Sequence, residues 1–129
     1  MKQKIILYVE DNFHNRRIVR KILASRNYTV LEAEDGISGL KKVQASKPPL
    51  ILLDISLPGM DGLEVLAKIR EDKELQRTPV IALTASAMRG DRERFLAAGC
   101  DDYLSKPVRA RDLLNTVAKH YPRNRKETS

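Results

Sequence analysis

Five short apolar runs, each followed by a stretch with helical spacing, divide this chain almost from end to end. The runs are Lys4–Val9, Thr29–Ala33, Leu50–Leu53, Val80–Leu83 and Asp102–Leu104. Between and after them, apolar residues recur every three or four positions: Ile18, Ile22 and Leu23; Ile37, Leu40 and Val43; Leu63, Val65, Leu66 and Ile69; Phe95, Leu96 and Ala98; Leu113, Leu114 and Val117. That spacing marks one face of a helix. The first, third and fourth runs are almost continuously apolar, the pattern of strands buried on both faces of a parallel sheet. The second alternates more and belongs nearer an edge. Strict β-α alternation requires right-handed crossovers, which place helices on both sides of the sheet. The expected fold is therefore α/β: a three-layer, doubly wound (βα)5 unit. Turn residues punctuate it at Lys47-Pro48-Pro49, Thr78-Pro79, Gly99 and Lys106-Pro107.

At 129 residues the chain has room for one domain, and a domain of this size buries enough surface to need no disulfide or metal. A folded unit over residues 3–121 with a basic tail, 122–129, is expected. The single cysteine, Cys100, excludes a disulfide framework and fits a reducing compartment; it reads as a small residue packed beside a turn. The apolar runs are too short for a membrane span, and Met1-Lys2-Gln3 leads straight into a strand without a signal-peptide pattern. A cytoplasmic setting is expected. The net charge of +7 raises the question of nucleic acid, but the basic residues are spread along the chain and aromatics are only 5%. Direct nucleic-acid binding is disfavoured without a stacking platform or a known binding motif.

In a parallel sheet the strand C-termini open onto one edge, and ligands bind there. The first run ends in Glu10-Asp11, the third in Asp54, the fourth in Thr84, and the fifth leads to Lys106. Taken singly, Asp11 and Asp54 could cap helices, Thr84 or Ser86 could cap the fourth helix, and Lys106 could be solvated. Together they bring three carboxylates, a hydroxyl and an ammonium to one edge. Gathered carboxylates repel one another, a conflict that a hard divalent cation such as Mg²⁺ removes. His14 and His120 have no ligand spacing. Asp35 and Asp61 each precede a glycine at a helix entrance and read as caps, and Asp101-Asp102 reads as a turn. Neither a Walker loop nor a G-x-G-x-x-G loop is present.

Four motifs at these places, Val9-Glu10-Asp11-Asn12, Leu53-Asp54 through Asp61-Gly62, Leu83-Thr84-Ala85 and Asp102-Tyr103-Leu104-Ser105-Lys106-Pro107, carry a resemblance. The chain resembles the receiver domain of bacterial two-component response regulators, the CheY-like superfamily. Glu10-Asp11-Asn12…Asn15-Arg16 and Thr84–Asp91 are similar to single-domain phosphorelay or hybrid-kinase receivers. The resemblance implies a flavodoxin-like strand order, 2-1-3-4-5, and a phosphorylatable switch. Asp54 would be the phosphoacceptor, taking phosphate from a phosphohistidine on a histidine kinase or histidine phosphotransfer protein. Glu10 (through a water), Asp11, Asp54 and the Ser56 carbonyl would hold Mg²⁺. Lys106 would pair with the phosphoryl group and Thr84 would donate to it. Tyr103 would change rotamer and carry the change to the face formed by the fourth helix, fifth strand and fifth helix, although it also reads as a plain strand-edge aromatic. Lys106-Pro107 would be a cis peptide. Phe13, Arg16 and Arg20 on the first helix would dock the phosphodonor; Arg16 and Arg20 read equally well as solvated arginines. Ser56 and Ser86 flank the path of attacking water and leave the phosphoryl lifetime open.

The implied chemistry agrees with the residues. Phosphoryl transfer asks for an in-line nucleophile and positive charge on the equatorial oxygens, and an aspartate can be that nucleophile. A dehalogenase-type phosphatase would want a second acid where Ser56 stands. A pseudo-receiver serving only as a binding module would not need the complete set.

Overall fold

The computed structural model describes residues 4–57, 59–85 and 91–122. Residues 1–3, Pro58, Ser86–Gly90, and residues 123–129 of the expected tail lie outside the described residues. The elements alternate as β1 (Lys4–Val9), α1 (Phe13–Ala24), β2 (Tyr28–Ala33), α2 (Gly36–Ser46), β3 (Ile51–Asp54), α3 (Gly62–Glu71), a 3-10 turn at Lys73–Leu75, β4 (Val80–Thr84), α4 (Asp91–Ala97), β5 (Asp102–Ser105) and α5 (Ala110–His120). The five strands are all parallel, in the order β2-β1-β3-β4-β5. Strand β2 is an edge, as its alternation predicts.

Alternate strand residues divide between two cores, as a side-chain period of two requires. Leu7, Val9, Ile51, Leu53, Val80 and Ala82 face one core with Val43 of α2, Val65, Leu66 and Ile69 of α3, and Phe95 of α4. Ile6, Tyr8, Leu52, Ile81 and Leu83 face the other with Val19 and Leu23 of α1 and Leu113 and Val117 of α5. Burying each such aliphatic side chain contributes roughly 2 kcal/mol.

Four residues named for their helical spacing, Ile18, Ile37, Leu96 and Ala98, do not join the cores. Ile18 is 53% exposed and Ile37 58% exposed. In α1 the buried positions are Val19 and Leu23, so Ile18 sits on the flank of the stripe. In α2 the buried positions are Gly36, Gly39 and Val43; Gly39 lies against Val9 of the sheet and Gly36 against Val65 and Met60, and because glycine carries no hydrophobic signal Ile37 was counted in their place. Leu96 is likewise exposed, leaving Phe95 as the buried residue of α4.

Helix entrances follow the expected chemistry. Asp35 caps α2 by accepting from Ser38 N–H, and Asp61 forms a reciprocal capping box with Glu64 on α3. The Ser38 N–H holds the Asp35 carboxyl below the ordinary carboxylate range. Asp101, expected in a turn, accepts from the Val80 N–H (2.8 Å) and pairs with Arg70 (3.1 Å), whereas Asp102 opens β5. The Arg70 guanidinium also donates to the carbonyls of Leu75, Thr78 and Gly99, each at 2.8 Å. One side chain thereby ties α3 to the turns before β4 and after α4, at the edge opposite the strand C-termini. Gly99 has φ +113°, a conformation that L side chains rarely adopt, and this lets the chain reverse directly from α4 into β5.

Candidate functional site

The carboxylates come together because β1 and β3 are neighbours and both end at the same edge. Glu10 follows β1 and Asp54 closes β3; they are only 1% and 2% exposed, while Asp11 is exposed. One carboxylate oxygen from each of the three lies within 4.8 Å of the others. The capping alternative for Asp11 does not hold, since α1 is capped by Asn12 one residue on. Nor does Thr84 cap α4, which begins at Asp91.

Lys106 reaches this cluster from the loop after β5. Its Nζ donates to Glu10 Oε1 (2.7 Å) and to Asp54 Oδ2 (2.9 Å). Its backbone N–H donates to the carbonyl of Thr84 (2.8 Å), so the lysine and the buried threonine at the end of β4 share one fixed position. The Lys106–Pro107 peptide is cis. The second oxygen of Asp54 accepts from the Ser56 N–H (2.9 Å), which orients the carboxylate and holds the exposed Ser56 beside it.

The charges are out of balance. Burial lifts the Glu10 carboxyl above its ordinary value; hydrogen bonds from Lys106 and Asn12 oppose this, and the Asp54 charge adds to it. Burial pulls the Lys106 ammonium down, but the two carboxylates outweigh it and leave the ammonium above its ordinary value. Both shifts fit one ammonium set among more than one carboxylate. The donor set is all oxygen, part buried and part open, and it suits a hard dication that keeps some of its waters.

Tyr8 extends the site beyond the sequence expectation, and Arg16, expected on the docking face, reaches the site from below. Tyr8, buried in β1, donates from its hydroxyl to Glu10 Oε1 (3.0 Å). Burial and then the Glu10 charge raise its phenol above the ordinary value, so it stays a donor. The available signal was spacing: Tyr8 and Glu10 are two apart and share a face of the extended chain. Arg16 is turned inward, with its side chain 11% exposed; Nη1 donates to the Glu10 carbonyl (2.7 Å) and Nε pairs with Glu32 Oε1 (3.1 Å). Arg20 pairs with the other Glu32 oxygen at 2.7 Å and is half exposed. Neither is a plain solvated arginine.

The remaining named residues lie around this centre. Phe13 is 58% exposed at the start of α1. A groove of about 350 Å³ runs between α1 and the loop after β5, lined by Tyr8, Asn15, Ile18, Val19, Ala85, Lys106, Pro107 and Val108. Tyr103 is half buried on β5, its ring centroid 6.4 Å from that of Phe95.

Known proteins share this architecture. The family model "Response regulator receiver domain" matches residues 6–118. The polar-differentiation response regulator DivK of Brucella anthropi is 38% identical over 117 residues, covering 91% of this chain and 95% of DivK. A CheY-like response regulator receiver domain protein from Methanospirillum hungatei has a TM-score of 0.86 at 32% identity, covering 98% of this chain and 99% of that one. The receiver domain of a Pseudomonas aeruginosa sensor histidine kinase, solved with a magnesium ion in its active-site cleft, has a TM-score of 0.85 at 37% identity, covering 93% of this chain and 98% of that one. The chain therefore belongs to the response regulator receiver domain family, the phosphorylatable signalling switches of two-component systems.

Proposed function

We propose that Asp54 is the phosphoacceptor, supplied by a phosphohistidine on a histidine kinase or histidine phosphotransfer protein. The observation that carries this is the Lys106 ammonium held between Glu10 and Asp54 at 2.7 and 2.9 Å, which puts a positive charge beside the one carboxylate that closes a central strand. An Asp54 oxygen attacks phosphorus, the P–O bond forms as the P–N bond breaks, and the imidazole nitrogen keeps the electron pair. Lys106 then pairs with the phosphoryl oxygens and the Thr84 hydroxyl donates to them. Glu10, Asp11, Asp54 and the Ser56 carbonyl would hold Mg²⁺, which supplies neutralising charge to an incoming phosphoryl dianion. Ser56 flanks the approach of hydrolytic water.

Movement of Thr84 toward the phosphoryl group makes room beside β4, and Tyr103 changes rotamer into it, altering the α4–β5–α5 face. The half-buried position of Tyr103 against Phe95 supports this. Donor docking falls on α1 beside the groove, with Phe13 as the exposed contact. Arg20, half exposed and paired with Glu32, is a second contact on α1, and Arg16 acts from beneath by holding the Glu10 carbonyl and Glu32.

The proposed organisation is one receiver unit over residues 3–121 with 122–129 as its tail, and α5 ending at His120 supports the boundary. Among the described residues no helix is long and apolar enough to cross a membrane. A cytoplasmic setting accords with a kinase or phosphotransfer donor and with the buried, free Cys100.

Intact mass after incubation with acetyl phosphate tests the acceptor. The expected result is magnesium-dependent addition of one phosphoryl group to the wild type and none to a folded Asp54→Asn variant. Stable phosphate on that variant would move the acceptor elsewhere. Failure of the wild type with both acetyl phosphate and a panel of phosphohistidine donors would leave a binding module that is not phosphorylated.

A further inference from the structure

Glu10 Oε1 accepts two hydrogen bonds, from Lys106 Nζ at 2.7 Å and from the Tyr8 hydroxyl at 3.0 Å, while its other oxygen accepts from the Asn12 N–H at 3.2 Å. Only one of the two donors on Oε1 is free to leave. Lys106 sits on a loop and also reaches Asp54, the group that gains the phosphoryl oxygens. Tyr8 is fixed in β1, 1% exposed, with its ring inside the core shared with α1 and α5. When the ammonium swings to phosphoryl oxygens, Oε1 of a carboxylate that is itself 1% exposed is left with the Tyr8 hydroxyl as its protein donor. A buried acceptor left without a donor is costly.

We propose that Tyr8 is a positioning residue: its hydroxyl is the reserve donor that keeps Glu10 in place when Lys106 transfers to the phosphoryl group. The inference rests on the acceptor reading above for its functional consequence, but not for the local one. The hydroxyl and the ammonium share a single oxygen atom, so the loss of one must raise the value of the other. Phenylalanine at this position would keep the ring and the core packing and remove only the donor.

The test combines two measurements. In the first, urea midpoints are compared for the wild type, Tyr8→Phe, Lys106→Met and the double variant. Tyr8→Phe is expected to shift the midpoint little while Lys106 is present, and at least twice as far once Lys106→Met has removed the other donor. All four proteins are compared in one buffer in which each is folded, with sucrose added where the double variant needs it. Equal shifts in the two backgrounds would overturn the inference. In the second, acetyl phosphate uptake is followed at saturating magnesium. Tyr8→Phe is expected to be slower by about tenfold, with the magnesium midpoint within about twofold of wild type, because the penalty arises as Lys106 leaves. An unchanged rate, or a loss that magnesium restores, would overturn the inference while leaving Asp54 as acceptor. Coupled midpoints in a wild type that takes up no phosphoryl group would instead sink the acceptor reading and leave the reserve-donor pairing standing.

Discussion

Glu10 is pulled in two directions. Its side chain is buried against the end of β1, where a carboxylate is disfavoured, yet it accepts from Tyr8, Lys106 and Asn12, which favour the charged form. Burial prevails and the carboxyl is raised above its ordinary value of 4.5. The folded state therefore holds this proton more tightly than the unfolded chain does. Its stabilising contribution is complete below the ordinary carboxylate range and is lost as pH rises through the raised folded value. In magnesium-free buffer, the stability of Glu10→Gln minus that of the wild type is expected to grow as pH climbs through the window just above 4.5, and to be flat below it. Urea titrations at a series of pH values would check this; a difference that shrinks with rising pH would contradict it. Asp54, Asp11, Thr84 and Lys106 were legible as a cluster because each stands at or just beyond a strand end, and strand ends share an edge. The hydroxyl of Tyr8 and the inward turn of Arg16 were not. An apolar run announces which face a tyrosine takes, but not that its tip meets a carboxylate, and helical spacing does not say which of several arginines finds Glu32.

At the scale of elements, the approach of α3 to β3 is the tightest constraint near the site. A methyl group on Gly62 would lie 2.5 Å from the carbonyl oxygen of Asp54 and 2.6 Å from the Ile55 Cα. Both are backbone atoms and cannot step aside as a side chain does. Gly62→Ala is expected to lower stability by about 2 kcal/mol and to slow phosphoryl uptake, since relief of the clash must move the strand end that carries Asp54. Denaturant melts with an acetyl phosphate assay would show it; wild-type values in both would mean that α3 can retreat without disturbing β3. Existence and order of the helices were readable from apolar spacing, but their orientation was less so. The stripes on α1 and α2 held Ile22, Leu23, Leu40 and Val43 correctly but also took in Ile18 and Ile37, whereas Val19 and Gly39 fill those places, and a glycine leaves no mark on a hydrophobic pattern.

For the whole molecule, alternation of strand and helix was enough to require a parallel sheet between two helical layers. The order of the strands was not contained in that pattern; it came from the resemblance carried by the strand-end motifs, and the sheet has it. The long-range fastening by Arg70 was invisible, because three of its four partners are backbone carbonyls that carry no residue-specific signal. Replacing Arg70 with alanine is expected to cost roughly 1–3 kcal/mol, since it takes the side-chain donor from the Thr78 and Gly99 carbonyls at once, while Asp101 keeps the Val80 N–H and Leu75 the Thr78 N–H. Chemical denaturation measures this, and a loss within about 0.5 kcal/mol would reduce the contact to an ordinary surface pairing.

That fastening also has a mechanical meaning. Helix α4 is clamped where it ends, by Arg70 on the Gly99 carbonyl and by the Asp101 N–H on the Val80 carbonyl, while the phosphoryl chemistry takes place at the opposite rim of the sheet. The clamp is a fulcrum. Helix α4 is about 10 Å long at the usual rise per residue, so a rotation of about 6° about Gly99 would carry its Asp91 end through about 1 Å and leave Ala97 nearly still. On the proposed switch, a small displacement beside Thr84 would become a graded tilt, greatest where α4 begins and vanishing where Arg70 holds it.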